Sequence, residues 1–381
     1  MNKPWIATYG AHVPHDIDAD AHASTVALFQ RACATYADRP AFECHGRSMS
    51  YAEVDRASDA VAAWLQAQGG VKRGDRIALM VPNIFAFPVA MLGIHKAGAA
   101  QVNVNPLYTA AELRHQLQDS GAETIIIFND STPTLAEIIH DTPVRTVITV
   151  APGDAAGLDL PSRAPDPRLG HALRLADVLE AGARLDYQPV DLNGEDLLFF
   201  QYTGGTTGPS KGALLTHRNM VANVAQFTAH MRDAIDPGRE IIVLALPLYH
   251  IFGLMLMHTY LAEGGKVILI PNPRDSEAFC DAIREARFTA IPGVNTMFQS
   301  LVASPGIKDV DFSGFKLAIG GGAAVIRDTS EKWKALTGRH IKEGYGLSET
   351  SPILCVNPFS VAAFTETCGL PVPSTDIELD E

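Results

Sequence analysis

Short apolar runs at 77–81, 100–104, 124–128 and 144–150 are separated by amphipathic stretches that begin near Asn83, Thr109 and Pro133. This alternation predicts parallel strands joined by covering helices. A second set of apolar runs, at 197–201, 212–216, 241–246, 266–270, 289–292 and 316–320, alternates with helical patterns near 218–232, 253–263, 276–287, 295–303 and 327–337. Ser50-Tyr-Ala-Glu53 and Thr109-Ala-Ala-Glu112 have capping-box spacing, in which hydroxyl and carboxylate each accept an orphan N–H, so each opens a helix that runs to the region of Gly69 or Gly121. Residues 151–190, rich in Pro, Gly, Ala and Asp, read as a long irregular connection. The expected fold class is α/β, with two helix-flanked, mainly parallel sheets at 50–190 and 195–355. Residues 1–49 are expected to pack on the second, and 356–381 to start a β-rich unit.

An apolar fraction of 47% over 381 residues supports a large core. The net charge of −13 argues against sequence-independent attraction to nucleic acid or to an anionic membrane, so an anionic substrate needs local donors. Cys33, Cys44, Cys280, Cys355 and Cys368 are odd in number and contain no C-x-x-C pair, which disfavours a disulfide framework and a zinc site and fits a cytoplasmic setting. No signal peptide is recognised at the N-terminus. The apolar window 241–257 is broken by Pro247, Tyr249 and His250 and reads as core rather than a membrane span.

Between two of the apolar runs, residues 202–212 read Tyr-Thr-Gly-Gly-Thr-Thr-Gly-Pro-Ser-Lys-Gly. Gly204, Gly205 and Gly208 free the backbone to approach a ligand, Thr203, Thr206, Thr207 and Ser210 add hydroxyl donors, and Lys211 adds charge, a set suited to phosphates. Lys211 is followed by Gly212 rather than Ser or Thr, which excludes a Walker A motif; the bland alternative is a flexible linker. Residues 342–352 bring Tyr345, Gly346, Ser348 and Glu349 together, able to stack a base, touch a phosphate and hold Mg²⁺, or to form a simple glycine turn. Gly320-Gly-Gly-Ala-Ala324 could admit a planar ligand or merely end a strand. His250 lies in an apolar, aromatic run, where a satisfied core histidine is the ordinary reading. Asp16-x-Asp18-x-Asp20 lacks the glycine and glutamate of a calcium loop, and His12 and His15 read as solvated.

Taken in this order, the 202–212 segment with Leu-Thr-His-Arg-Asn at 215–219, Leu-Pro-Leu-Tyr-His-Ile-Phe-Gly at 246–253 and Gly-Tyr-Gly-Leu-Ser-Glu-Thr-Ser-Pro at 344–352 resemble the landmarks of the adenylate-forming superfamily. Pro292-Gly-Val-Asn-Thr296 and the opening Lys3-Pro-Trp5 to Asp18 are similar to bacterial long-chain fatty-acid–CoA ligases, and the resemblance covers essentially the whole chain. It implies the large N-terminal lobe of such an enzyme, with ATP, Mg²⁺ and CoA as cofactor and co-substrates. Thr203 to Lys211 would clasp the β- and γ-phosphates; Gly321, Gly322, Ala323 and Ala324 with Tyr345 and Gly346 would frame adenine. Ser348 would meet the α-phosphate, and Glu349 would hold Mg²⁺. Lys211, His250 and Glu349 would be catalytic, and His250, Ile251, Phe252, Leu254 and Met255 would shape the acyl pocket.

The resemblance also implies that a ribose-binding Thr-Gly-Asp segment, a hinge and a small domain carrying a lysine belong beyond Glu381, so the 381 residues alone are expected to be severely impaired. It leaves open transfer to a carrier protein instead of CoA, a non-catalytic acyl or nucleotide module, a homodimer, and peripheral association with the inner face of a membrane.

Overall fold

The computed structural model describes residues 3–203 and 209–378, folded around two mixed sheets. Both capping boxes form. Ser50 accepts from the Glu53 N–H (3.2 Å) while Glu53 accepts from the Ser50 N–H (2.7 Å), and Thr109 and Glu112 do the same (3.4 and 2.8 Å). The helix Ala110–Ser120 ends where Gly121 takes φ 65°, a left-handed cap that glycine adopts without a Cβ clash. The helix expected near Pro133 is a single short piece, Thr132–Ala136. Within 151–190 the described structure includes the helix Leu175–Gly182.

From edge to edge, the seven-stranded sheet runs Leu173–Arg174, Thr146–Val150, Thr124–Phe128, Arg76–Met80, Ala100–Asn103, Leu197–Thr203 and Lys211–Thr216, all neighbours parallel except the last pair. The sequence grouped 197–201 and 212–216 with the second set of runs, and here the structure differs. Gln101 and Val102 pair with Phe199 and Phe200, which brings the 197–216 hairpin onto the first sheet. Pairing across about a hundred residues is invisible to a local hydrophobic period.

The nine-stranded sheet has a parallel centre, Ile341–Gly346, Leu317–Gly320, Ala290–Gly293, Ile241–Leu244, Lys266–Leu269 and Pro40–Cys44. Antiparallel strands Leu370–Pro371 and Ile353–Val356 extend it at one edge and Arg47–Ser50 at the other. Alternate residues of a strand serve opposite faces. Ile242, Leu244, Val267 and Leu269 enter the core shared by both sheets, whereas Val243, Ala245, Ile268 and Ile270 enter a separate core with Phe298 and Trp333. The helix Ile251–Ala262 lies in the shared core; among the described residues no helix is long and apolar enough to cross a membrane.

Candidate active site

After Ile241–Leu244 the chain crosses to its neighbour Lys266–Leu269 and then returns to Ala290–Gly293 on the other side, so the order reverses at this strand. Helices leaving the two sides of such a switch point cover opposite faces and leave a crevice outside the carboxyl ends of the strands. Leu254 and Leu256 of one helix lie in the shared core, and Phe298 and Leu301 of the other lie in the separate core. A cavity of about 760 Å³ fills that crevice. Its walls are the segments that follow four adjacent strands, 245–253, Pro273 with Arg274, Val294 to Ser300 and Gly321 with Gly322, together with the end of a fifth strand and the turn beyond it, Gly344 to Ser348, and Pro352 with Ile353.

Eight residues singled out in the sequence share this cavity: His250, Ile251, Phe252, Gly321, Gly322, Tyr345, Gly346 and Ser348. Gly322 takes φ 74°, and a Cβ on Gly346 would stand 1.9 Å from the Pro352 carbonyl oxygen, so both positions require glycine. Tyr345 is 48% exposed, leaving its ring free to cover a ligand. Ala323 and Ala324 are exposed but lie off the lining. Leu254 and Met255, expected in the acyl pocket, are fully buried in the shared core and do not line the cavity. The physical reason is that Ile251–Ala262 is enclosed by protein along most of its length, so only its first turn reaches the crevice.

Gly204, Gly205, Thr206, Thr207 and Gly208 lie outside the described residues. On either side of them Thr203 pairs with Lys211, its hydroxyl donating to the Lys211 carbonyl (3.5 Å). The turn Ser348–Thr350 packs against both strands of this hairpin. Lys211 and Glu349 are both exposed beside the cavity rather than part of its lining. Two segments far apart in the chain, the hairpin at Thr203 and Lys211 and the turn carrying Glu349, therefore meet at one end of the cavity.

The walls are mainly apolar. Among the described residues Arg274 is the one charged side chain in the lining, and the sequence did not single it out; nor did it single out Met297 and Ser300. His250 opens to the cavity yet is crowded enough by protein that desolvation lowers its pKa, which favours a neutral imidazole near pH 7; the Tyr249 ring lies 4.7 Å away. Asn83 was also missed. Its Nδ2 donates to the carbonyls of Leu244 (3.1 Å) and Leu246 (2.8 Å), and its Oδ1 accepts from Leu248 N–H (2.9 Å), pinning the loop that carries His250. The only sequence signal was a polar residue at the junction of an apolar strand and helix.

The family model for the AMP-binding enzyme matches residues 29–381. The long-chain-fatty-acid–CoA ligase of Yersinia pestis is 42% identical over the whole chain, which spans 70% of that relative's length. A solved long-chain-fatty-acid–CoA ligase from Archaeoglobus fulgidus shares the fold with a TM-score of 0.80 at 22% identity, over 97% of this chain and 72% of that one. The ATP-bound structure of MatB from Rhodopseudomonas palustris superposes with a TM-score of 0.74 at 27% identity, over 92% of this chain and 65% of that one. The chain belongs to the AMP-binding enzyme family and is a homologue of long-chain-fatty-acid–CoA ligases.

Proposed function

We propose that the protein activates a long-chain fatty acid with ATP, forming acyl-AMP and releasing pyrophosphate, and that the intact enzyme then forms a thioester with CoA. The observation that carries this reading is the packing of the Ser348–Thr350 turn on the 197–216 hairpin beside a mainly apolar cavity. A phosphate-suited segment, an exposed aromatic ring and an apolar crevice then serve one reaction.

The chemical obstacle is an anion attacking an anion. Two unit charges about 4 Å apart repel by about 4 kcal/mol at an effective dielectric near 20, and ATP carries several charges. Lys211 has the right charge to offset this, and the hairpin backbone and hydroxyls would orient the triphosphate for in-line displacement by the carboxylate oxygen. In the adenine role, Gly321 and Gly322 admit a flat ring and Tyr345 covers it. A neutral His250 would approach the carboxylate without sequestering it in a fixed ion pair. Ile251, Phe252 and Met297 would grip the tail by apolar contact, worth about 0.8 kcal/mol per buried CH₂.

Glu349 suits Mg²⁺. Its exposed carboxylate has no hydrogen-bond or ion-pair partner among the described residues, and no group of three or more His, Cys, Asp or Glu is arranged there as a metal cage. A single carboxylate, with phosphate oxygens and water completing the shell, is how this ion commonly binds. When bound, Mg²⁺ would neutralise charge on the leaving pyrophosphate.

Fatty-acid-dependent ATP–pyrophosphate exchange tests the proposal, measured on this chain and on a longer version continuing through the part that the relatives possess. Palmitate should support exchange in the longer protein, and Lys211→Ala and Glu349→Ala should each lower it by about 10²-fold or more. Undiminished exchange in both variants would refute the assigned roles.

A further inference from the structure

Strand Ile353–Val356 lies between the edge of the cavity and the last described strand of the chain. On one side it pairs with Ile341–Gly346, where Cys355 stands opposite Tyr345. On the other, Cys355 stands opposite Pro371, and the Val372 N–H donates to the Leu354 carbonyl (2.9 Å). The intervening loop folds back on its own base. Asn357 Nδ2 donates to the Thr367 carbonyl (2.6 Å), and the Thr365 hydroxyl donates to Asn357 Oδ1 (2.9 Å). Gly369, at φ 89°, approaches so closely that a Cβ there would stand 2.1 Å from the Asn357 nitrogen.

Cys368, between Thr367 and Gly369, is thereby held at the base of this loop, and its thiol lies beside that of Cys355. The two differ in access: Cys368 is exposed, whereas Cys355 is 5% exposed. Burial, and then the neighbouring Cys368, pushes the Cys355 thiol up to about 12, so it stays protonated near pH 7. An oxidant in solution therefore meets Cys368 first. Because strand pairing and the Asn357 bonds already bring the loop ends together, joining the sulfurs orders little further chain. A bridge that opens and closes suits a reducing compartment, where permanent disulfides are rare.

We propose that Cys355 and Cys368 form a reversible disulfide, closed by a peroxide and opened by a dithiol, and that closing it weakens the hold of Tyr345 on nucleotide. The second half rests on the proposed placement of adenine at Tyr345. In the first step the Cys368 thiolate attacks a peroxide oxygen, the O–O bond breaks, and hydroxide leaves as water with the proton that the thiol gave up. The Cys355 sulfur then attacks the sulfenic sulfur. The S–S bond forms, the S–O bond breaks, and hydroxide leaves as a second water with the Cys355 proton. Two thiols are oxidised and one peroxide is reduced. Sulfur atoms in unbonded contact stand roughly 1.5 Å further apart than the ~2 Å of a disulfide, so closure pulls on Cys355. Its strand is held on both sides, and the pull reaches Tyr345 directly opposite, where the register is already irregular.

The test treats the longer protein, continued through the part that the relatives possess, with hydrogen peroxide, removes the excess with catalase and blocks free thiols. Chymotrypsin cuts after Phe359 and Phe364, between the two cysteines, so mass spectrometry should find their peptides joined in the wild type and separate in Cys368→Ser. Calorimetric titration with α,β-methylene-ATP and Mg²⁺ should show about fivefold weaker binding in the oxidised wild type, restored by dithiothreitol, and unchanged binding in peroxide-treated Cys368→Ser. Cys355→Ala takes the place of that variant should it fail to fold. Oxidation of Cys368 without a bridge to Cys355 overturns the proposal. So does a bridge that leaves nucleotide affinity unchanged, or an equal loss of affinity in the variant. Failure of the reduced wild type to bind the analogue takes down the functional reading and the Tyr345 half of the proposal, and the peptide map still decides the bridge.

Discussion

Replacing Asn83 by alanine removes three hydrogen bonds from a buried loop, but the three do not cost the same. The Leu244 carbonyl keeps a second partner, the Ile270 N–H at 3.2 Å. The Leu246 carbonyl and the Leu248 N–H have no other partner among the described residues, and these two residues are 7% and 0% exposed. Each newly unsatisfied buried group costs about 1–3 kcal/mol, so Asn83→Ala should lose about 2–6 kcal/mol, minus whatever water entering the vacated space recovers. Urea unfolding followed by tryptophan fluorescence measures this as a lower midpoint at constant slope. Because the same loop carries Leu246, Pro247 and His250 to the cavity, the KM for palmitate should rise well before that for ATP in the exchange reaction. A loss below about 1 kcal/mol with unchanged slope would mean that the loop is held by its packing alone and that Asn83 is incidental.

Burial lowers His217 and His258 to about 4 and holds His95 well below the usual imidazole range; His95 and His258 lie against Phe199, and His217 against His95. An imidazole that is neutral when folded and has a pKa near 6.5 when unfolded takes up more protons in the unfolded state between those values. Stability should therefore be complete above about pH 6.5 and fall as pH drops toward 4, by about 3 kcal/mol for each of His217 and His258. Thermal melts from pH 7 to 4 check this, and His258→Leu should flatten the profile; a flat wild-type profile contradicts it. Gly346→Ala places a Cβ 1.9 Å from the Pro352 carbonyl and should weaken nucleotide binding, read by calorimetry, more than it lowers melting temperature. Lys96 is fully buried between Asp55 (2.6 Å) and Asp59 (2.7 Å), whose side chains are about a third exposed. Lys96→Met should cost about 2–3 kcal/mol in urea unfolding, less than an enclosed ion pair would, because the carboxylates can rehydrate.

Local chemistry was legible in the sequence. Capping boxes and short apolar runs each act within a few residues, so the elements they specify appear close to where the pattern put them. The residues lining the cavity at 250–252, 321–322 and 345–348 were legible for a related reason: each group lies at or beyond the carboxyl end of a strand, where an α/β sheet receives ligands.

What only the tertiary structure decided were relations between distant segments. Periodicity identifies a strand but not its partner, and the hairpin's place beside Ala100–Asn103 follows from backbone pairing that has no local signature. Leu254 and Met255 have the same apolar character as Ile251, and only the packing of their helix decides which of them meet the core and which meet the crevice. Asn83 is a single amide in an apolar stretch, silent in a sequence because its meaning lies in backbone atoms far along the chain. The sequence alone named the candidate groups, because residue type is local; the three-dimensional packing decided which of them share the crevice and what holds them there.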